Sequence, residues 1–178
     1  MPVDQAHARR QRAHLWPRWL PKLNESISSM RNARSEGLLE HRRMRILDFL
    51  RTDGILCPLH ASSKKEVLEE LIQPICAANP RLDRQRLLNT LLERENLGST
   101  GIGGGIAIPH GKFDGLDHLV ASFGKSRKGV DFNSLDNKPA YIFFLLVAPK
   151  NSAADHLKAL ARVSRLLKDE FLLKDLQK

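Results

Sequence analysis

The sequence is poor in cysteine and in aromatic residues. Only two of its 178 residues are cysteine, and 6% are Phe, Trp or Tyr. Cys57 and Cys76 match no spacing typical of a zinc or redox motif, and a chain of this length buries enough surface to fold without a disulfide. Two reduced thiols therefore fit better than a bridge, and no secreted, disulfide-rich class is indicated.

Long hydrophobic runs are absent as well. The most apolar segment, residues 140–148, is much shorter than the roughly 20 residues of a membrane-spanning helix, and it is typical of a buried strand. Near the N-terminus, Pro17 and Arg18 interrupt the continuous apolar run that a secretory signal needs. We therefore predict no membrane span and a cytoplasmic protein.

Acidic residues are in the minority. The chain has 29 Lys and Arg against 20 Asp and Glu, a net charge of +9, and residues 1–43 carry nine of the basic and four of the acidic residues. Because this segment also lacks apolar periodicity, we predict that residues 1–44 form a flexible, mostly disordered basic extension. A nucleic-acid partner for it is an alternative that we do not favour, since solvated terminal charge is the commoner outcome.

From residue 45 onward, helix and strand patterns follow one another. Capping residues precede apolar residues at helical spacing in three places, at Ser63, Asp83 and Ser152. Short apolar runs typical of strands lie between the second and third helix, at residues 105–109, 119–123 and 140–147. This order indicates a single α/β domain over residues 45–178, with a small mixed β-sheet flanked by helices.

The segment before the first predicted strand is rich in glycine. Five glycines fall among the eight residues from Gly98 to Gly105, which indicates a tight backbone path or a close anionic ligand such as phosphate. Nucleotide-binding motifs are not favoured, because a dinucleotide fingerprint fails at Ile106 and no Gly-Lys-Ser/Thr follows. We therefore expect no nucleotide cofactor.

His110 stands at the end of the first predicted strand, between Pro109 and Gly111. A neutral imidazole is a good phosphoryl acceptor near pH 7, since its ordinary pKa is about 6.5. These three residues alone fit a strand-capping histidine better, so the wider sequence has to decide between the two interpretations.

That wider sequence resembles a known active-site signature. Glu95 is followed after six residues by Ile102-Gly103 and, after two more, by the segment from Ile106 to Gly111 (IAIPHG). The pattern is similar to that of the fructose, mannitol and nitrogen-regulatory enzyme IIA family of the bacterial phosphotransferase system. The resemblance covers about residues 45–176 and is greatest to the nitrogen-regulatory branch.

The resemblance implies that His110 accepts a phosphoryl group from a phosphohistidine on an HPr-type carrier. It also implies that His156 lies beside His110 and that Arg94 lines the same pocket. Without the resemblance, His156 is better explained as a core histidine; with it, we expect His156 to orient the phosphoryl group and Arg94 to stabilise its charge. The remaining phosphoryl oxygens are expected to bind to the loop, at Thr100, Gly101, Gly103, Gly104 and Gly105.

No cofactor is expected for this chemistry. Exchange between two nitrogen–phosphorus bonds is nearly isoenergetic, so positioning and charge neutralisation suffice without a metal or nucleotide. A zinc site built from His110, His118 and His156 would need a further ligand that the sequence does not supply. We therefore predict no metal.

The function implied by the resemblance is regulation of target proteins, such as transporters or sensor kinases, according to phosphorylation of His110, as in nitrogen and potassium control. Two alternatives stay open. The first is a sugar-specific enzyme IIA that passes its phosphoryl group to a IIB component. The second is a non-catalytic regulatory binding module.

The C-terminal end departs from the family pattern. Family members usually have one more helix after the position of Lys178, so we expect this domain to lack that helix or to replace it. Leu172, Leu173 and Leu176 are then expected to be partly uncovered, which favours self-association.

Overall fold

The computed structural model describes residues 44–177 of the chain. The predicted basic extension, residues 1–44, therefore lies almost wholly outside the described residues. After one turn of 3-10 helix at Ile46–Asp48, the described part contains six strands and four α-helices. The strands are β1 (Leu50–Leu59), β2 (Gly101–Gly103), β3 (Ile106–Ala107), β4 (His110–Phe113), β5 (Val120–Val130) and β6 (Ala140–Pro149). The helices are α1 (Lys64–Ala78), α2 (Arg84–Asn96), α3 (Ala153–Leu166) and α4 (Glu170–Gln177).

All six strands belong to one mixed sheet. The strand order is β1-β5-β6-β3-β2, and β4 also pairs with β6. Strands β3 and β4 run parallel to β6, and β1 runs parallel to β5, whereas β5 and β6 are antiparallel. The prediction of a mixed α/β fold is confirmed.

Strand β6 lies inside the sheet, and its residues from Ile142 to Ala148 are all buried. Phe143, Leu145 and Val147 join the apolar core that includes the buried residues of α1 and α2. Side chains alternate along a strand, so Phe144 and Leu146 face the opposite side, where α3 packs on β6. Because both faces of β6 are buried, its sequence is a continuous run of apolar residues instead of an alternation of apolar and polar ones.

All three predicted helix starts are confirmed, two of them by side-chain caps. The Ser63 hydroxyl accepts the Glu66 backbone N–H at 3.3 Å, and the Asp83 carboxylate accepts that of Arg86 at 3.0 Å. Helix α3 begins directly after Ser152, as predicted, although the Ser152 hydroxyl donates to the carbonyl oxygen of Pro149 instead of capping the helix.

Two predicted strands have different limits in the structure. The apolar run at residues 105–109 forms only the two residues of β3, so His110 opens the separate strand β4 instead of ending the first one. Pro109 between them has no N–H for a sheet ladder. Strand β5 continues past residue 123 to Val130, because pairing with its neighbours outweighs the polar character of residues 125–128.

Helix α4 is described by itself, because residues 44–169 and α4 fall in different compact units of the chain. No helix was predicted at this position. Leu172 and Leu176 are four residues apart and share one helix face, and both are buried, while Leu173 is half-buried. The expectation that Leu172 and Leu176 are uncovered is therefore wrong, whereas self-association stays a prediction.

Across residues 44–177, none of the helices combines the length and apolar character needed to cross a membrane.

Candidate functional site

His110 is positioned by the start of β4 against β6. The register places it beside Leu146, with Gly111 beside Val147. A Cβ atom at Gly111 would come within 3.1 Å of Leu91 Cδ2 in α2. Since neighbouring residues of a strand point to opposite faces, glycine lets α2 pack on one face while His110 points to the face covered by α3.

One hydrogen bond sets the tautomer of His110. Its Nδ1 atom lies 2.8 Å from the carbonyl oxygen of Ile108. A carbonyl oxygen can only accept, so Nδ1 carries the proton and Nε2 keeps its lone pair when the ring is neutral. The ring therefore has its nucleophilic nitrogen on the side away from Ile108.

His156 lies beside His110, in the first turn of α3. The ring centroids are 5.6 Å apart and the ring planes are inclined by 60°. His156 is 7% exposed, and its buried Nε2 has no hydrogen-bond partner among the residues that the structure describes. Sheet and helix thus bring together two histidines that are 46 positions apart in the sequence.

Both histidines are shifted toward the neutral form. Burial lowers the pKa of His156 to about 4, and electrostatic interactions with His110, Lys112 and Arg94 act in the same direction. Burial also lowers the pKa of His110, with a further decrease from Arg94, while the Ile108 hydrogen bond and Glu95 oppose the shift. Near pH 7 the site therefore has two uncharged rings and a cation close to both.

That cation, Arg94, belongs to the last turn of α2. Its Nη1 donates to the carbonyl oxygen of Gly98 at 3.0 Å, and the side chain is half-buried. Its charge lowers the pKa of both histidines, which places the guanidinium within electrostatic reach of each ring. His110 and His156 thus lie side by side with Arg94 within electrostatic reach of both, although the three residues come from a strand and two helices.

The glycine-rich segment forms a tight hairpin between β2 and β3. Gly104 and Gly105 make its two-residue turn with φ angles of +63° and +77°, a conformation that strongly favours glycine. The Gly101 N–H donates to the Ser99 hydroxyl at 3.1 Å, and the Gly104 N–H donates to the Asp136 carboxylate at 2.9 Å. Turn geometry therefore explains Gly104 and Gly105, and two of the amides expected to bind a phosphoryl group already have partners.

Thr100 is also engaged within the fold. It is buried, its N–H lies 3.2 Å from Glu95 Oε1, and its hydroxyl donates to the same carboxylate oxygen. For Thr100 to bind a phosphoryl oxygen, these bonds to Glu95 would have to be exchanged. A direct role of Thr100 and of the glycine amides stays a prediction.

Sequence reasoning missed the partner of Glu95. Lys64 Nζ lies 3.3 Å from Glu95 Oε2, and the Glu95 side chain is only 3% exposed. From the sequence, Lys64 beside Lys65 is most simply explained as part of a solvated helix face. No local pattern reveals the pair, because its members are 31 positions apart.

The described residues offer no cluster of three or more His, Cys, Asp or Glu side chains that could hold a metal ion. His118, the third histidine of the hypothetical zinc site, is exposed on the connection that precedes β5.

The fold and these residues define a class of protein: a small α/β domain with two adjacent histidine rings and an arginine within electrostatic reach of both. The chain belongs to the family described as "Phosphoenolpyruvate-dependent sugar phosphotransferase system, EIIA 2", whose model matches residues 48–178. It is therefore a phosphotransferase component of the enzyme IIA type, and the resemblance seen in the sequence is confirmed.

Named relatives agree with this membership. A nitrogen regulatory protein of Bradyrhizobium diazoefficiens is 41% identical over 134 residues, covering 75% of this chain and 87% of that protein. A fructose-specific EIIABC component of the Bacillus subtilis phosphotransferase system is 38% identical over 133 residues, covering 75% of this chain and 21% of that protein. The crystal structure of nitrogen regulatory protein IIA-Ntr from Neisseria meningitidis matches with a TM-score of 0.68 and 30% identity, covering 74% of this chain and 89% of that one.

Proposed function

We propose that this protein is a phosphohistidine carrier that accepts a phosphoryl group on Nε2 of His110. The observation that carries the proposal is the hydrogen bond from His110 Nδ1 to Ile108, which leaves Nε2 unprotonated in a ring that lies beside His156. The donor is a phosphohistidine on an HPr-type phosphocarrier, as the family membership suggests. The exchange takes place in the cytoplasm.

The transfer balances without a cofactor. The Nε2 lone pair of His110 forms the new nitrogen–phosphorus bond as the donor's nitrogen–phosphorus bond breaks, and the electron pair of that bond returns to the donor ring. His110 keeps its Nδ1 proton, so the ring gains positive charge as the phosphoryl group arrives. The Ile108 carbonyl, 2.8 Å away, stabilises that charge.

Arg94 and His156 serve the incoming group in different ways. The guanidinium supplies a permanent positive charge and several N–H donors for phosphoryl oxygens. With a pKa of about 4, His156 is neutral near pH 7 and has one ring N–H to donate. Its buried Nε2 has no partner within residues 44–177, and a phosphoryl oxygen would satisfy it.

The role of the phosphorylated state is regulatory in this proposal. The Bradyrhizobium relative and the Neisseria structure are both named nitrogen regulatory proteins. By analogy, this chain would bind target proteins, such as transporters or sensor kinases, according to whether His110 is phosphorylated.

A sugar-specific role is the second candidate. The Bacillus subtilis relative is named as a fructose-specific component that combines A, B and C parts. In that role, phospho-His110 would pass its group to a IIB component. A non-catalytic binding module is the third candidate, and it predicts no phosphorylation at all.

One reconstitution separates these candidates. The full chain is incubated with phosphoenolpyruvate, enzyme I and an HPr-type carrier, and its intact mass is recorded beside that of His110→Ala. We expect one acid-labile phosphoryl group on the parent and none on the variant. Absence of phosphorylation of the parent with both nitrogen-branch and sugar-branch carriers would support the binding module. Discharge by a fructose-type IIB component would support the sugar-specific role.

A further inference from the structure

A buried ion pair outside the phosphoryl site is not used by the chemistry above. The Glu95 side chain is 3% exposed and meets Lys64 Nζ at 3.3 Å, while Lys64 itself is 21% exposed. Replacing such a pair with well-packed apolar residues is often neutral or stabilising, so its presence needs a reason beyond net stability. The contacts of Glu95 supply one.

Glu95 is joined to His110 by an unbroken series of hydrogen bonds. Its carboxylate accepts both the N–H and the hydroxyl of Thr100. The Thr100 carbonyl then accepts the Ile108 N–H at 3.0 Å, and the Ile108 carbonyl accepts the Nδ1 proton of His110 at 2.8 Å. Each link holds the residue whose carbonyl group is the next acceptor.

The same residue anchors the turn that holds Arg94. The carbonyl oxygen of Glu95 accepts the Gly98 N–H at 3.1 Å, and the Gly98 carbonyl accepts Arg94 Nη1 at 3.0 Å. Glu95 therefore stands between the two groups that the phosphoryl group would meet. A shift of its side chain would disturb His110 through Thr100, and a shift of its backbone would disturb Arg94 through Gly98.

Lys64 holds the carboxylate in place from the start of α1. Its ammonium group lies 4.9 Å from the centroid of the Phe132 ring, which is fully buried. The Ser99 hydroxyl donates to the Phe132 carbonyl at 2.7 Å, so Phe132 is tied to the same turn. Lys64 thus neutralises Glu95 and joins α1 to the segment that precedes Thr100.

We propose that Glu95 and Lys64 are positioning residues that hold His110 in its Nδ1-protonated tautomer through Thr100 and Ile108. The inference rests on the proposed phosphoryl transfer for its kinetic consequence but not for its tautomer consequence. Neither residue touches the reacting atoms. Their loss should slow the transfer step and leave the affinity for the carrier unchanged.

The experiment reads the tautomer and the rate separately. Full-length protein with ¹⁵N-labelled histidine is examined by NMR near pH 7, where the ring nitrogens of His110 report which one is protonated; His110→Ala assigns the signals. Single-turnover phosphorylation is then measured over a range of carrier concentrations. The variants are Glu95→Gln, Lys64→Met, Thr100→Val and Thr100→Ser.

Matched controls remove nearby charges that lie outside the network. Glu93→Gln changes an exposed carboxylate in the same helix, and Lys65→Met changes the adjacent lysine of α1, which is 63% exposed. Both controls should keep the parent's tautomer and rate.

We expect Glu95→Gln, Lys64→Met and Thr100→Val to populate both His110 tautomers and to lower the maximal transfer rate about tenfold or more. Half-saturating carrier concentration should not change, and Thr100→Ser, which restores the hydroxyl, should recover the rate. If Glu95→Gln or Lys64→Met fails to fold, the Thr100→Val and Thr100→Ser pair decides.

Folded variants with the parent's tautomer and rate would overturn the inference. If the parent itself is not phosphorylated, the proposed function fails. The NMR comparison then still tests the positioning of His110.

Discussion

Acid should destabilise this fold through His156 in a way that can be measured. In the folded chain, burial and neighbouring cations lower its pKa to about 4, whereas an unfolded chain has the ordinary value of about 6.5. Between these two values the unfolded state binds more protons, so stability falls as the pH decreases from 6.5 toward 4. Integrated from pH 7 to pH 5, the effect is about 2 kcal/mol.

The assay compares how steeply the free energy of unfolding changes with pH in two proteins, rather than its absolute value in either. Urea unfolding of the full chain is followed at several pH values between 7 and 5, beside His156→Gln, which cannot titrate in this range. The variant should lose about 2 kcal/mol less than the parent over this interval. His118→Gln, a substitution in the exposed loop before β5, serves as the control and should follow the parent.

Equal pH dependence of the free energy of unfolding for the parent and His156→Gln would refute the lowered pKa of His156 in the folded chain. They would mean that His156 can be protonated in the folded chain as easily as in the unfolded chain. The burial and the adjacent cations would then not act on its ring as the structure indicates.

Three further predictions test other parts of the site. Arg94→Lys should slow phosphorylation of His110 by about tenfold, because an ammonium group cannot donate in the paired geometry of a guanidinium, and single-turnover kinetics will show it. Gly105→Ala should lower the free energy of unfolding by about 1–2 kcal/mol in urea titrations, since its φ is +77° and a Cβ would lie 3.2 Å from the Tyr141 ring. Leu91→Ala removes a fully buried side chain beside Gly111 and should cost about 2–5 kcal/mol, measured in the same way.

Much of the fold could be predicted because local chemistry encodes it. Ser63 and Asp83 indicate where α1 and α2 begin, because their side chains can accept backbone N–H groups of the first helical turn. The structure confirms both starts. Strand β6 is apolar throughout because both of its faces are covered. The far half of β5 escaped prediction, since only its pairing with β1 and β6 explains a strand through Lys125 and Arg127.

The site could be predicted only in part, because a sequence shows local patterns but not the contacts that tertiary packing creates. The short segment ending in Pro109-His110-Gly111 carries a recognisable pattern, so His110 was accessible from the sequence. The glycines looked like a phosphate loop, yet Gly104 and Gly105 have the positive φ angles of a hairpin turn. The link between Glu95 and Lys64 depends on how α1 packs beside α2, which no local pattern contains.

The distribution of charge suits a carrier that must give up what it accepts. Two fully charged histidines would bind a phosphoryl dianion tightly and oppose its release, whereas the structure keeps both rings toward their neutral forms through burial and nearby cations. Arg94 remains as a permanent charge that acts on both rings. In the proposed transfer, one fixed cation and neutral hydrogen-bond donors stabilise phospho-His110 without trapping it, because a neutral donor contributes less than a charged one. A site with this balance can exchange its phosphoryl group with a partner of similar energy in either direction, as transfer between two histidines requires.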